Sequence, residues 1–474
     1  MANSIFAVTA AVAACLLAGC ADMSGISPQA QVRDAASLGL SATVTAPAIS
    51  AQWWRDFGDP QLDRLVDQAL TGNPNLRIAQ ARLVRAQAVR EVADSAFLPQ
   101  VNGSLDLTRQ RYTRNGAVPA PLAGSVKDSG TLQLSTSWEI DFFGKYSAAL
   151  ESALGAARAA QADADAARLL LASNVVRQYL QLARINDQLS VAHRMLAQRQ
   201  EQLQLVRDRV NAGLDTRLEL RQSEGGLPEA RQQIEALQEQ AALAKNALAA
   251  LAAQPAADVV PDAPKLVAIR TAAFPVSVPA DLLAQRADIT AARWRVEAAG
   301  HDVGNARAQF YPNINLVAFA GLSSIGLGRL LDSGSQQWGV GPAIRLPIFE
   351  AGRLRANLRG KAADLDAAVE SYNAAVIDAV REAADSAASG QSVERQQAEQ
   401  RVAQQAAEDA YAIAIQRYRA GLGNYLNVLS AENAVLAQRR QAVDLQARAL
   451  DAQVGLIRAL GGGYRPQAFV AAQK

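Results

Sequence analysis

The chain contains two related copies of one unit, and this duplication limits the folds that it can adopt. The segment 209–224 matches 417–432 at a shift of 208 residues, with six of sixteen positions identical. The segment 97–102 (Phe-Leu-Pro-Gln-Val-Asn) returns as 310–315 (Phe-Tyr-Pro-Asn-Ile-Asn), at a shift of 213. Solenoid repeats have much shorter periods, of about 20–50 residues. We therefore predict an internal two-fold structural repeat.

Each copy contains two segments in which apolar and polar residues alternate, as in a strand with one apolar face. In the first copy, residues 101–110 and 131–140 alternate and a loop with Gly, Pro and Ser lies between them. Strands of about ten residues can cross a bilayer at a tilt. A soluble sheet packed on helices is the alternative, but the export signal described below favours membrane strands. We predict strands at about 98–113, 129–141, 311–322 and 335–348.

A long stretch without proline follows each pair of strands, and its apolar positions have coiled-coil-like spacing. We predict long helices at about 147–211 and 352–420 and returning helices at about 216–253 and 424–460. Thr216 and Glu219 form a predicted capping box, and Asn424 is a predicted N-cap. Gly225, Gly226 and Pro228 predict a kink in the first returning helix, because both residue types cost helix stability.

The N-terminus carries an export signal. Residues 5–19 are apolar but too short to span a bilayer comfortably, which is typical of a signal-peptide core. The ending Leu-Leu-Ala-Gly-Cys20 resembles the lipobox of bacterial lipoproteins, in which the cysteine thiol is acylated; an ordinary signal peptide near a cysteine is the alternative. An Asp after the cysteine favours inner-membrane retention in lipoproteins, whereas Ala21 follows here. We predict a lipid anchor on Cys20 in the outer membrane.

These patterns give a linear organisation of the chain. The predicted parts are a signal peptide at 1–19, a lipidated extended segment at 20–60, a first repeat at 61–255, a linker at 256–285, a second repeat at 286–460 and a tail at 461–474.

Composition excludes several functions. The net charge of +2 gives no strong field for nucleic acid. Cys15 and Cys20 are the only cysteines, so the mature chain has no disulfide framework. The sequence contains no His-rich cluster, no Gly-x-Ser-x-Gly motif and no phosphate-binding loop. We predict no enzymatic activity, no metal site and no cofactor other than the covalent lipid.

Four strands per chain predict an assembly of several chains. Open sheet edges are not tolerated in lipid, and bacterial barrels have even strand numbers from eight upward. Two chains would supply eight strands and three would supply twelve, and the residues alone leave this choice open. A non-channel, long coiled-coil lipoprotein of the cell envelope is the alternative function. It explains the helices but not the paired alternating segments.

Several motifs resemble those of the outer membrane factor family, the TolC-type exit ducts of tripartite efflux pumps. They are Trp53-Trp54 with Phe57-Gly-Asp-Pro60, Trp138-Glu-Ile-Asp-Phe-Phe-Gly144, Pro347-Ile-Phe-Glu-Ala-Gly352 and Arg417-Tyr-Arg-Ala-Gly421. With the lipobox, the chain is most similar to the lipoprotein, NodT-type branch of resistance–nodulation–division efflux systems.

The resemblance implies a mixed α/β membrane protein that conducts substrates passively from the periplasmic pump assembly to the exterior. It implies a homotrimer with a 12-stranded transmembrane β-barrel, four strands per chain, continuous with a long periplasmic α-helical barrel. The implied partners are a periplasmic adaptor, or membrane fusion protein, an inner-membrane resistance–nodulation–division transporter and outer-membrane lipid.

The resemblance also assigns roles to the turns between the long helices, which lie at the periplasmic end in the family and contact the adaptor. Carried over by position, these residues are Arg209, Gly213, Leu214, Arg417, Gly421 and Leu422. The periplasmic aperture falls on Leu426, Asn427 and Ser430. Many members carry Asp at one or both of the last two positions, so an acidic ring is not expected here, and Leu426 is the expected apolar plug.

Two further expectations concern the turns. We expect Gly421 to need a positive φ. Arg207, Arg209, Arg417 and Arg419 are expected to pair with Glu219 or Glu224, with solvated surface charges as the equal alternative.

Overall fold

The computed structural model describes residues 23–33, 49–257, 263–271 and 286–465. The predicted signal peptide and Cys20 lie outside these residues, as do most of the predicted linker and tail. The chain divides into two units. Of the described residues, the sheet unit comprises 23–32, 83–160 and 292–372, and the helical unit comprises 33, 49–82, 161–257, 263–271, 286–291 and 373–465.

Helices make up most of the described chain. They are α1 (Pro60–Gly72), α2 (Pro74–Ser95), α3 (Lys145–Asn211), α4 (Arg217–Ala252), α5 (Ala287–Ala308), α6 (Arg353–Arg419) and α7 (Tyr425–Ala459). Both α3 and α6 have 67 residues, which corresponds to about 100 Å at about 1.5 Å per residue. Within the described residues, none of the helices combines the length and apolarity that a membrane span requires.

Helix α4 continues through the position of the predicted kink. Pro228 lies inside the helix and has no N–H to donate to the carbonyl of Glu224. Nearby, Nη1 of Arg199 on α3 donates a hydrogen bond of 2.8 Å to the carbonyl oxygen of Gly226. Helix α4 is unbroken from Arg217 to Ala252, and an arginine binds its backbone next to the proline.

The sheet unit contains four antiparallel strands in the order β1 (Gln100–Arg111), β2 (Val126–Glu139), β3 (Asn313–Ile325) and β4 (Gln336–Arg345). Residues directly opposite each other in the register share a face. One face is apolar and exposed: Leu105 lies opposite Leu132, and Ile314 opposite Ile344. The other face is mostly polar. Within the described residues, β1 and β4 each pair on one side only.

The Trp-Trp motif anchors the start of the helical unit. Trp53, Trp54 and Phe57 lie in a 3₁₀ helix and are each 1% exposed. Gly58 then adopts a φ of +71°, and the Asp59 carboxylate caps α1 by accepting from the N–H of Gln61 at 2.9 Å. The motif therefore has a structural role, which is to seat aromatic side chains in the core and begin α1.

A buried tyrosine also binds the carboxylate of Asp59. The hydroxyl of Tyr179 on α3 donates to Oδ2 of Asp59 at 2.5 Å. Burial, followed by this hydrogen bond, raises the pKa of Tyr179. Asp59 thus joins the start of α1 to the middle of α3.

The segment 23–33 lies extended along α6 and is called here the N-terminal strap. In the sheet unit, the backbone N–H groups of Gln29 and Ala30 donate to Oδ1 of Asp366 at 2.7 and 2.8 Å. Met23 and Ile26 pack against an apolar cluster of Val303, Ala306, Phe310, Leu354 and Leu358. In the helical unit, the N–H of Arg33 donates to Oδ1 of Asn373 at 2.8 Å.

Candidate functional site at the paired helix turns

Two turns join the long helices to the returning helices, and they share one backbone conformation. In the first turn, Gly213 has a φ of +71° and the N–H of Leu214 donates to the carbonyl of Arg209 at 2.9 Å. In the second, Gly421 has a φ of +75° and Leu422 donates to Arg417 at 2.8 Å. A left-handed glycine with this backward bond is a common way to end a helix. The expected positive φ of Gly421 is confirmed.

Side-chain caps begin both returning helices. Thr216 Oγ1 accepts from the N–H of Leu218 at 3.1 Å, and the N–H of Thr216 donates to Oε2 of Glu219 at 3.0 Å, so the predicted capping box is confirmed. The hydrogen bond from Thr216 lowers the pKa of Glu219. Asn424 caps α7 by accepting from the N–H of Asn427 at 3.0 Å, also as predicted.

Three side chains, Arg209, Asp215 and Tyr418, link the two turns; we call them the turn triad. Arg209 binds Asp215 through Nε at 3.0 Å and Nη2 at 3.3 Å, and its guanidinium lies 4.5 Å from the centre of the Tyr418 ring. The Tyr418 hydroxyl donates to the same carboxylate. Tyr418 is fully buried, and the Arg209 and Asp215 side chains are 11% and 10% exposed.

The turn triad is also an electrostatic unit. Burial, reinforced by the hydrogen bond to Asp215, raises the pKa of Tyr418. The hydrogen bond to Asp215 raises the pKa of Arg209. The phenol therefore stays neutral and the guanidinium charged at any physiological pH, so this link is present throughout that range.

The expected pairing of Arg209 with Glu219 or Glu224 is wrong, because Asp215 lies in the same turn and Glu219 serves the cap. Arg207 does approach Glu224, at 3.8 Å between a partly exposed pair that contributes little stability. Arg417 donates instead to the carbonyl of Leu422, at 3.3 Å.

The turn triad was not predicted from the sequence, and two of its members stand at positions where the two segments differ. Aligned at a shift of 208, Tyr418 corresponds to Val210, and Asp215 corresponds to Gly423. Each copy thus departs from the other at the position where the two turns meet. Ten of the sixteen aligned positions differ, so these two differences do not by themselves identify the contact.

A second ionic link lies further along the same helices. Nε of Arg199 on α3 is 3.3 Å from Oε2 of Glu432 on α7, and Nη1 is 3.2 Å from Oε2 of Glu229 on α4. Glu432 is 1% exposed, and burial raises its pKa despite the nearby guanidinium of Arg199. A cavity of about 290 Å³ adjoins this link and is lined in part by Arg440. Burial and the charge of Arg199 lower the pKa of Arg440.

The predicted aperture residues occupy the exposed side of α7. Leu426 is 59% exposed, and Asn427 and Ser430 are exposed beside it. On the opposite side of α7, Tyr425 and Val428 pack with Val206 and Tyr418 in an apolar cluster. The fold thus buries one face of α7 against the turn triad and leaves the predicted aperture face open.

The ion pairs and hydrogen bonds of this site join neighbouring helices and the turns between them. Over the described ranges, no three His, Cys, Asp or Glu side chains are grouped so that they would bind a metal ion.

Comparison with known proteins gives the family. The sequence profile described as "Outer membrane efflux protein" matches residues 65–254 and 278–462. The chain is 32% identical over 464 residues to the pyoverdine export outer membrane protein OpmQ of Pseudomonas aeruginosa, covering 96% of each chain. It is 40% identical over 361 residues to the fusaric acid resistance protein FusA of Burkholderia cepacia, covering 72% of this chain and 66% of that one.

The fold agrees with a solved structure of the same kind. The outer membrane protein VceC of Vibrio cholerae superimposes with a TM-score of 0.83 at 37% identity, over 88% of this chain and all of VceC. The chain belongs to the outer membrane efflux protein family and is the outer-membrane channel component of an efflux system.

Proposed function

We propose that three copies of this chain form a passive duct, in which four strands from each copy close a 12-stranded transmembrane β-barrel. The observation that carries this proposal is the sheet, which has an exposed apolar face and a polar face; in the part of the chain that the structure describes, β1 and β4 each have one unpaired side. Lipid does not tolerate open strand edges, so pairing β4 of one copy with β1 of the next satisfies both. The alternative function, a non-channel coiled-coil lipoprotein, does not explain such a sheet.

The helices continue the duct as a periplasmic α-helical barrel. The matching backbone bonds of the two turns, 208 residues apart, support an internal two-fold repeat in which each copy supplies one long helical hairpin. Six hairpins from three chains would then surround one passage. The duct moves solutes without catalysis, in keeping with a family of transport channels.

The exposed leucines of the turns suit docking of a partner. Leu214 and Leu422 are 65% and 69% exposed, each beside a left-handed glycine that leaves the backbone accessible. A periplasmic adaptor that binds here would connect the duct to an inner-membrane resistance–nodulation–division transporter. Relatives named for export of pyoverdine and resistance to fusaric acid support an organic cargo.

A lipid anchor on Cys20 would complete the attachment to the outer membrane. Met23, three residues further on, packs against the apolar cluster that includes Phe310 and Leu354, which lie just before β3 and shortly after β4. The strap would therefore hold an acylated Cys20 close to one end of the sheet, where its acyl chains can enter the bilayer. Labelling with a palmitate analogue, and its loss in Cys20→Ser, tests this part of the proposal.

At the aperture, three copies of Leu426 would form an apolar plug, with Asn427 and Ser430 beside it. Purified protein in a planar bilayer should conduct ions, and Leu426→Ser should raise the single-channel conductance. Leu243→Ser, which changes an exposed leucine on α4, is the matched control. A correctly assembled trimer that never conducts would refute the duct, and equal conductance in Leu426→Ser and wild type would refute the plug.

A further inference from the structure

The polar face of the sheet carries one large aromatic side chain. In the strand register, Phe319 lies between Ser135 on β2 and Gly339 on β4, on the same face as Asn102. Ser135 and Gly339 flank it on the neighbouring strands, Val317 and Gly321 lie two residues away along β3, and Phe319 is 40% exposed. The alternation of β3 therefore breaks at a position where a polar residue would fit the pattern.

Glycine on the neighbouring strand gives the ring its orientation. A Cβ atom added to Gly339 would lie 2.7 Å from Cε1 and 2.9 Å from Cζ of Phe319. The ring therefore lies across β4 where that strand has no side chain. A ring in this position presents a broad surface to a solute that passes along the polar face.

A pair of amides lies on the same face, in the next row of side chains, two residues further along β3. Nε2 of Gln337 donates to Oε1 of Gln133 at 3.2 Å, across Gly321 of β3. Gly321 has no room for a side chain, because an added Cβ would overlap the carbonyl oxygen of Leu132. Beyond their mutual bond, the two amides retain the Gln133 Nε2 donor and the Gln337 Oε1 acceptor.

We propose that Phe319, Gln133 and Gln337 form a pore-facing contact site for planar aromatic solutes that carry hydrogen-bonding groups. The two rows are about 7 Å apart along the strand, which matches a bicyclic ring system with one polar substituent. Because β3 is an inner strand, copies that pair at β1 and β4 leave the site uncovered. The proposal rests on the proposed duct, in which the polar face lines the passage.

Weak binding is what such a site requires. A conducting passage needs contacts that are favourable enough to admit a solute and weak enough to release it. One exposed ring and two half-buried amides per chain supply a contact of that kind, repeated around the passage by each copy. The site would favour aromatic over aliphatic solutes during transit.

A purely structural role is the competing explanation, because an aromatic ring that covers a strand glycine stabilises the strand pair. Phe319→Leu separates the two roles. Leucine still covers Gly339 with apolar atoms, but it removes the flat ring. A structural role alone predicts a change in thermal stability and no change in discrimination between solutes.

The test uses the full-length assembly in planar bilayers with two neutral probes, N-acetyl-tryptophanamide and N-acetyl-alaninamide. We expect the tryptophan probe to reduce the single-channel current saturably and the alanine probe to have little effect. Phe319→Leu should raise the half-blocking concentration of the tryptophan probe about 3- to 10-fold, a range set by the strength of aromatic pairs. Gln337→Ala should raise it as well. Val340→Ala, on the apolar face, is the matched control.

Equal block by both probes in wild type, or unchanged block in Phe319→Leu, would overturn the site. An assembly without current would count against the proposed duct instead. Saturation-transfer NMR on the detergent-solubilised assembly then tests the site without conduction. Stronger transfer to the indole than to the alanine probe, reduced in Phe319→Leu, supports it, and equal transfer in both proteins refutes it.

Discussion

Tyr418→Phe removes a single hydroxyl from the turn triad and should loosen the contact between the two helical hairpins. The hydroxyl donates to Asp215 in a fully buried position. Hydrogen bonds to charged groups contribute about 1.5–3 kcal/mol. Asp215 keeps both bonds from Arg209, so it is not left unpaired, and we expect the lower end of that range. About 1.5 kcal/mol corresponds to roughly a tenfold shift in the opening equilibrium of the turns.

Phenylalanine is chosen because it keeps the ring beneath Arg209, 4.5 Å from the guanidinium. Asp215→Ala is a harsher change, since it leaves a mostly buried guanidinium without its carboxylate. Removing one partner of a fully buried ion pair costs about 3–5 kcal/mol, and this partly exposed pair should cost less than that. The turns should therefore open most often in Asp215→Ala, less often in Tyr418→Phe and least often in the wild type.

Hydrogen exchange followed by mass spectrometry measures this opening directly on peptides that contain residues 205–216 and 415–425. Local opening sets the exchange rate of such amides, so Tyr418→Phe should speed exchange about tenfold in both peptides. Tyr311→Phe, a partly exposed tyrosine of the sheet unit, is the control and should leave these peptides unchanged. Exchange in Tyr418→Phe within twofold of the wild type would refute the role given to the hydroxyl.

Three further changes test other parts of the structure. Burial raises the pKa of Glu432 above its ordinary 4.5, so its contribution to stability is full below about pH 4.5 and falls as the pH rises through the pKa of the folded state. Glu432→Gln should therefore reduce the fall of the thermal unfolding temperature with rising pH in this range. An unchanged slope of unfolding temperature against pH would contradict the prediction. Gly421→Ala should cost about 1–2 kcal/mol in chemical unfolding because of its positive φ, whereas Gly423→Ala should cost far less. Asp366→Ala should speed hydrogen exchange at residues 29–30 more than tenfold, and preserved protection would show that the carboxylate does not hold the strap.

Local patterns in the sequence were sufficient for the four strands, the two long helices and the two returning helices. Alternation over residues 101–110 and 131–140 gave paired strands, because a strand with one apolar face must alternate. The absence of proline gave α3 and α6, and the residues that cap and end helices placed the turns. These features depend on residues close together in the chain, so they can be inferred without the partners. Pro228 is an exception to the rule that proline ends or kinks a helix, since α4 continues through it.

Contacts between distant segments were beyond the reach of such patterns. The interpretation of the turns paired arginines with the nearest glutamates on the helix, whereas the fold pairs Arg209 with Asp215 and brings Tyr418 from the other copy. It also missed the burial of Glu432 against Arg199 and the strap held by Asp366. Each of these depends on which helices are neighbours in space.

The sequence by itself determined amphipathic strands and very long helices, because periodicity, caps and breakers act over a few residues. It also carried the motifs that mark the outer membrane efflux protein family. Only the tertiary structure decided which charges meet between the turns, and that Phe319 lies over Gly339 on the polar face. Burial and pairing of distant side chains arise when helices and strands pack, and packing is a property of the whole fold.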